Sequence, residues 1–198
     1  VRRGVLTIAV ATGTASMSMY LWFPFLPLFL QQVGARDDAD AAFWMAMALT
    51  GQGIGRLFSG PLWGVVSDRT GRKKMFLRAL FSAGIVNLLS SAITAPWQLI
   101  IALTLIGLLA GFNPAAIALA SVSVPDAWLK ATLGMVSAGQ YIGLAVGPAI
   151  GAGLALTIGY RGAAAVSGLA IIAVAMLVVW FVPSDMTSTG AVFVTSAW

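Results

Sequence analysis

Histidine, cysteine and glutamate are absent from this 198-residue chain, and only 9% of its residues are charged. Without Cys there is no disulfide, no thiol nucleophile and no thiolate metal site. Without His as well, the usual soft metal centres and every triad built on His or Cys are excluded. A Ser–Lys pair is the one nucleophilic arrangement left, and no Lys lies inside an apolar run. The six acids are all Asp, and none of them falls within an apolar run, so the paired carboxylates of general acid–base catalysis are missing too. The residues thus point away from an enzyme and from a metalloprotein: no catalytic residue, no metal ligand and no cofactor are assigned. The formal charge of +5 is a local excess, which makes nucleic acid a poor partner.

What is present in abundance is apolar sequence. Hydrophobic residues make up 60% of the chain, whereas soluble domains average about 25% charged residues. The chain reads as an integral membrane protein with the lipid bilayer as its first partner. Six apolar segments can be cut from it, over 5–33, 41–66, 74–95, 97–121, 131–157 and 162–182. Each is long enough, at a 1.5 Å rise, to cross a hydrocarbon core of ~30 Å. Backbone groups in lipid must be satisfied within the segment, so these are helices. The first run, after Val1-Arg2-Arg3, is too long for a signal-peptide core and is read as a transmembrane helix. Polar or tight breaks separate the segments: Gly34 to Asp40, Thr94-Ala95-Pro96, Val124-Pro125-Asp126 and Ile158-Gly159-Tyr160-Arg161. The expected organisation is a six-helix bundle over 1–182, followed by a stub or the start of a linker over 183–198.

Six of the eleven Lys and Arg residues lie between Arg56 and Arg78. Counted by side, Arg2, Arg3, Arg69, Arg72, Lys73, Lys74, Arg78 and Lys130 fall on one face of the membrane, against Arg36 and Arg161 on the other. The positive-inside rule makes the first face cytoplasmic, with the N-terminus and loop 67–78 on it. Trp22, Trp44 and Trp97 lie near helix ends and read as interface anchors.

Two patterns go beyond charge and hydropathy. The loop between the second and third helices carries Gly64-x3-Asp68-Arg69-x-Gly71-Arg72-Lys73, preceded by Pro61-Leu62-Trp63. Gly71 suits a tight turn, and Asp68 can neutralise a neighbouring Arg or meet a helix N-terminus. The fifth helix carries Gly134, Gly143, Gly147, Pro148 and Gly151. With Gly139, the glycines at four-residue spacing line one face, which lets another backbone approach closely, and Pro148 favours a bend.

Together these patterns resemble the major facilitator superfamily. The loop resembles its signature between helices two and three, and the Gly-Pro helix resembles the antiporter motif of its drug–proton exporters. Phe23-Pro24-Phe25-Leu26-Pro27, Trp97-Gln98-Leu99, Leu108 to Pro114 and Gly159-Tyr160-Arg161 are similar to bacterial multidrug exporters of the MdtG type. The resemblance implies an all-α membrane fold of twelve helices, of which this is the N-terminal six-helix half with 3+3 inverted repeats. It implies alternating-access transport of small amphiphilic molecules out of the cell across the inner (plasma) membrane, with the proton gradient as driving force. Loop residues Gly64, Asp68, Arg69, Gly71, Arg72 and Lys73 would then form a conformational latch. In this expectation the loop and the glycine face of helix five both face a missing C-terminal half, or a second copy of the chain. A truncated, non-transporting fragment is the competing reading.

Two departures stand out. The exporters carry an Arg early in the fourth helix where this chain has Leu103, and no acid lies in any of the six segments. Proton coupling by this half alone therefore lacks its titratable group. Arg56 is too deep in its helix to reach the surface easily, and a guanidinium facing lipid there costs about 2.5–3.5 kcal/mol. Two readings fit it: a structural Arg bonded to carbonyls or water, or a cavity residue recognising a polar or anionic substrate group. The family's cavity-lining helices add Tyr20, Gln52, Asn113, Gln140 and Tyr141 as candidates, each of which also suits a helix–helix hydrogen bond.

Overall fold

The computed structural model describes residues 2–122, 124 and 126–182. Among them the helices are α1 (Arg2–Trp22), α2 (Leu26–Gln32), α3 (Asp38–Thr70), α4 (Arg72–Ser90), α5 (Pro96–Leu109), α6 (Phe112–Val122) and α7 (Asp126–Phe181), with a 3-10 turn at Phe23–Phe25 and no strand. The stub expected over 183–198 lies outside the described residues. Val5–Gln32, Pro96–Val122 and Ala127–Phe181 are long and apolar enough to cross a membrane by length and composition. The chain is a multi-pass, all-helical membrane protein.

All six apolar segments are helical, but two are interrupted. The first breaks at Phe23–Phe25, where Pro24 and Pro27 each withhold a backbone N–H. The fourth breaks at Ala110–Gly111, one turn before Pro114. Conversely, α7 is one unbroken run except at Gly159, whose φ of 73° and ψ of 173° lie outside helical space. Gly159 is where the fifth and sixth segments part. The backbone passes through Pro148 without a break, so the expected bend is not a helix interruption. At the other turn, Gly71 has φ 95° and separates α3 from α4; an L side chain would be strained at both positions.

The loops are fixed by side chains. Asp37 caps α3, its carboxylate accepting from the Asp40 N–H at 2.8 Å. Gln98 Oε1 accepts from the Thr94 N–H at 2.7 Å and the Ala95 N–H at 3.2 Å, closing the tight turn before α5.

Lipid tails are as apolar as leucine, so burying leucine gains little inside a membrane. Helices there associate by close packing, and glycine allows the closest approach. Three helix pairs follow that rule. A Cβ added to Gly143 would lie 2.1 Å from the Gly13 carbonyl oxygen, and one at Gly147 would lie 2.6 Å from that of Met17, so α1 and the first part of α7 touch backbone to backbone. In the same way, a Cβ at Gly107 would lie 2.1 Å from the Gln52 carbonyl oxygen, joining α5 to α3. A Cβ at Gly168 would lie 2.5 Å from the Leu88 nitrogen, joining the second part of α7 to α4. Contact numbering rises together along α1 and α7, and along α3 and α5, so those pairs run parallel. Lys73 meets Val179 and Val182 while Arg161 meets Ser91, so α4 and the end of α7 run antiparallel.

These contacts correct two expectations. The glycine face of the fifth helix does not await a partner: Gly139, Gly143, Gly147 and Gly151 all press on α1. Trp22 is not an interface anchor. It is 2% exposed, and its Nε1 donates to Asn87 Oδ1 at 2.8 Å inside the bundle. The apolar span runs on through the break to Gln32, so Trp22 lies inside it and not at its end. Trp97, by contrast, is exposed.

Candidate functional site

The charged loop gathers at one end of the bundle. Arg72 Nη1 donates to the Ala118 carbonyl at 2.9 Å and to Ser121 Oγ at 3.2 Å. Lys73 Nζ donates to the Val179 carbonyl at 3.2 Å and to that of Val182. Both cations therefore sit on the C-terminal carbonyls of α6 and α7, where unpaired acceptors and the helix dipole favour positive charge. Of the six residues assigned to a latch, these two are engaged within the bundle. Gly64 has open space where a Cβ would sit, Arg69 is exposed, and Gly71 makes the turn. The Asp68 side chain lies outside the described residues.

Two turns further along α4, the Arg78 guanidinium lies over the Trp63 ring, 3.4 Å from its centroid. Trp63 Nε1 in turn donates to the Leu108 carbonyl at 2.7 Å. This stack links α4, α3 and α5, and sequence reasoning missed it. Arg78 registered only as one more inside charge, although its spacing from the loop puts it on the second turn of a helix rather than at its tip.

The helix motif is interhelical packing, as described, with one exception. Gly134 has nothing within 4 Å of its added Cβ and stands outside the stripe.

The candidate cavity residues divide into two groups. Tyr20 and Gln140 belong to the α1–α7 pair. Tyr20 packs edge-on against Phe23, with 5.7 Å between ring centroids, near the end of α1. Gln140 follows Gly139, which meets Ala9, so the two lie roughly 15 Å apart along the axis. Tyr141 is on the exposed face. Gln52, Arg56 and Asn113 belong to the α3–α5/α6 pair. Gln52 is 6% exposed, and its Nε2 has no hydrogen-bond partner. Arg56, one turn on, is exposed; its backbone carbonyl accepts from Ser59 Oγ at 3.3 Å. Its neighbour Gly55 touches Gly107 and Leu108, just before the break at Ala110–Gly111. Asn113, in the first turn of α6, has a buried Oδ1 without a partner. Leu103 is a fully enclosed core residue at 1% exposure.

A separate groove of about 300 Å³ opens between α4 and α5 near the opposite end, lined by residues such as Val86, Leu89, Ile93, Ile101 and Leu105. None of the candidate cavity residues borders it.

The fold and these residues define an all-helical membrane bundle with polar side chains at two separate helix pairs. The family model described as Major Facilitator Superfamily matches residues 8–192. The chain belongs to that superfamily, whose members are transporters and not enzymes. It is 34% identical over 167 residues to the multidrug resistance protein MdtG of Proteus mirabilis (strain HI4320), a match covering 84% of the chain and 42% of that relative. It is 36% identical over 141 residues to MdtG of Escherichia coli O1:K1 / APEC, covering 71% of the chain and 35% of the relative. The chain thus spans less than half the length of the curated relatives it matches.

Proposed function

We propose that the chain is the N-terminal half of an alternating-access transporter for small amphiphilic compounds, acting in multidrug-type efflux in the inner membrane. The observation that carries this reading is the match to multidrug resistance relatives more than twice the matched length, and two of the bundle's exposed apolar faces offer the remainder a place to pack. On α3, Ile54, Leu57, Phe58, Leu62 and Val65 are exposed, and Gly53, Gly60 and Gly64 have open space at the Cβ position. On the first part of α7, Tyr141, Ile142, Val146 and Ile150 are exposed opposite the glycine stripe. A remainder as long as the unmatched part of the relatives is enough to cover both faces.

Breaks in the first and fourth spans, the leading helices of two successive trios, support the 3+3 repeat, because discontinuous helices in this class line the midplane site. The basic end bearing Arg69, Arg72, Lys73 and Lys74 is the cytoplasmic end. In the latch, Gly64, Asp68, Arg69 and Gly71 meet the second half, while Arg72 and Lys73 hold the loop to the first. Any proton-coupling acid comes from the other half, since Leu103 and the acid-free spans leave none here.

A transport assay on the product of the complete reading frame tests the proposal. Amphiphilic dye accumulation should fall in expressing cells and recover when the proton gradient is collapsed. A reading frame that ends after six helices, with no effect on accumulation, favours the non-transporting fragment instead. A second copy of the chain on the α3 and α7 faces would be seen as a cross-linked dimer through Leu57 or Ile142.

A further inference from the structure

We propose that Trp63 and Pro114 together set the break in the fourth span, with Arg78 positioning Trp63, so that α6 is a hinged segment latched by an indole N–H. The latch stands on the geometry of the break; only its part in turnover rests on the transporter reading above. Three observations carry it.

The first is a displaced backbone bond. In a continuous helix the Ala110 carbonyl would accept from residue 114, which is Pro114 and has no N–H. Here that carbonyl accepts from the Phe112 N–H at 2.8 Å, two residues on. The Phe112 N–H is thereby taken from its helical acceptor, the Leu108 carbonyl. A bare carbonyl inside an apolar span is costly. Trp63 Nε1 fills the vacancy from α3, donating to the Leu108 carbonyl at 2.7 Å.

The second is how the indole is held. The Arg78 guanidinium lies 3.4 Å from the Trp63 ring centroid, an attraction of cation and ring. Its Nε and Nη1 are buried with no hydrogen-bond partner. Buried donors left unpaired call for a reason. An arginine that forgoes two hydrogen bonds for a ring contact holds a state that can be left at little loss, because release returns those donors to acceptors or water. That is the condition for two states of similar energy.

The third is a division of anchors. α5 is fixed to α3: a Cβ at Gly107 would lie 2.1 Å from the Gln52 carbonyl oxygen, and one at Gly55 would lie 2.6 Å from that of Thr104. α6 is held from α4, where Arg72 donates to the Ala118 carbonyl and to Ser121 Oγ. The two halves of the fourth span thus belong to different neighbours, and Ala110–Gly111 is the joint between them. Releasing Trp63 lets the Phe112 N–H return to the Leu108 carbonyl and swings the tip of α6 at the basic end of the bundle.

The test measures the distance between spin labels at Leu6 and Val122, both exposed and at the same end of the bundle. It uses the product of the complete reading frame, with transport of an amphiphilic dye followed alongside. Pro114→Ala supplies the missing N–H and should move the distance distribution to a second value. Trp63→Phe keeps a ring under Arg78 and removes the donor. It should shift the populations the same way by about five-fold, the scale of one hydrogen bond. Arg78→Leu should act likewise, and Arg78→Lys should recover part of the shift. Adding Trp63→Phe to Pro114→Ala should change nothing more, because the Leu108 carbonyl then already has Phe112. Dye turnover should fall in Trp63→Phe with KM unchanged. Unmoved distances in either single variant, or shifts that add in the double variant, overturn the latch. Unchanged turnover in Trp63→Phe overturns its part in transport. If the unaltered protein carries no dye, the transporter reading fails, and the distances still decide the latch.

Discussion

Gly143 and Gly13 meet backbone to backbone: a Cβ on Gly143 would stand 2.1 Å from the Gly13 carbonyl oxygen and 2.8 Å from the Met17 nitrogen. Neither neighbour is a side chain that can rotate away. Gly143→Val should therefore force α1 and α7 apart, at a cost of at least about 1–3 kcal/mol. A drop in the melting temperature of the detergent-solubilised protein is the measurement. Gly153→Ala, on the same helix but facing open space, should be neutral or slightly stabilising because alanine is the better helix former. Equal losses at both positions would refute the packing role of the stripe.

The Trp22–Asn87 bond makes a second case. Asn87 is fully buried, accepts from Trp22 Nε1 and donates its own amide to the Ala83 carbonyl at 2.9 Å. Asn87→Leu leaves the indole N–H unsatisfied in the core, a loss of about 1–3 kcal/mol. In a Trp22→Phe background the same substitution should cost much less, since no N–H is stranded. A double-mutant cycle on thermal stability reads the difference, and additive effects would show that the bond carries no coupling.

These two relationships mark the limits of what the sequence could tell. Helix type, the breaks between the six segments and the charged end were legible, because apolar length, Pro, Gly and Lys/Arg act locally; the interruptions at Phe23–Phe25 and Ala110–Gly111 inside two segments were not expected. The loop and glycine motifs were legible as patterns, but not their partners. Spacing told that Gly139 to Gly151 share a face; it could not say whether α1 or an absent half fills it. Trp22 shows the same gap: nearness to a helix end looks like an interface anchor, yet the span runs on to Gln32 and the indole bonds Asn87 inside the bundle. At the candidate site, Gln52, Arg56 and Asn113 were each visible as polar residues in apolar runs. Their gathering on one helix pair, apart from Tyr20 and Gln140, depends on the Gly107 crossing and was not legible.

Gly159 tests the one point at which α7 leaves helical space. Its φ of 73° with ψ of 173° is unfavourable for any residue with a Cβ, by roughly 1–3 kcal/mol. No neighbouring atom lies within 4 Å of the Cβ position, so Gly159→Ala isolates backbone strain from crowding. The substitution should lower thermal stability by that amount. Gly159→Asn should recover none of it, because at ψ 173° the residue lies outside the left-handed helical region that asparagine tolerates, in a region essentially confined to glycine. Equal stability of wild type and Gly159→Ala would mean that the turn is made elsewhere.

The basic loop separates into contacts made within the bundle and contacts that require more protein. Arg72 and Lys73 bond carbonyls at the ends of α6 and α7, so Arg72→Gln and Lys73→Met should each weaken the bundle by a few tenths to about 1 kcal/mol, the scale of a cation at a helix C-terminus. That loss should appear in the 198-residue chain by itself, as earlier thermal unfolding or faster proteolysis at the end of α7. Gly64 faces open space here, so Gly64→Val should leave the same chain unaffected. In the product of the complete reading frame the order should reverse. There Gly64→Val and Asp68→Asn should impair transport, because the space at Gly64 is where the proposed second half approaches α3. Impaired stability of the six-helix chain on Gly64→Val would contradict this division. So would unchanged stability on replacing both Arg72 and Lys73.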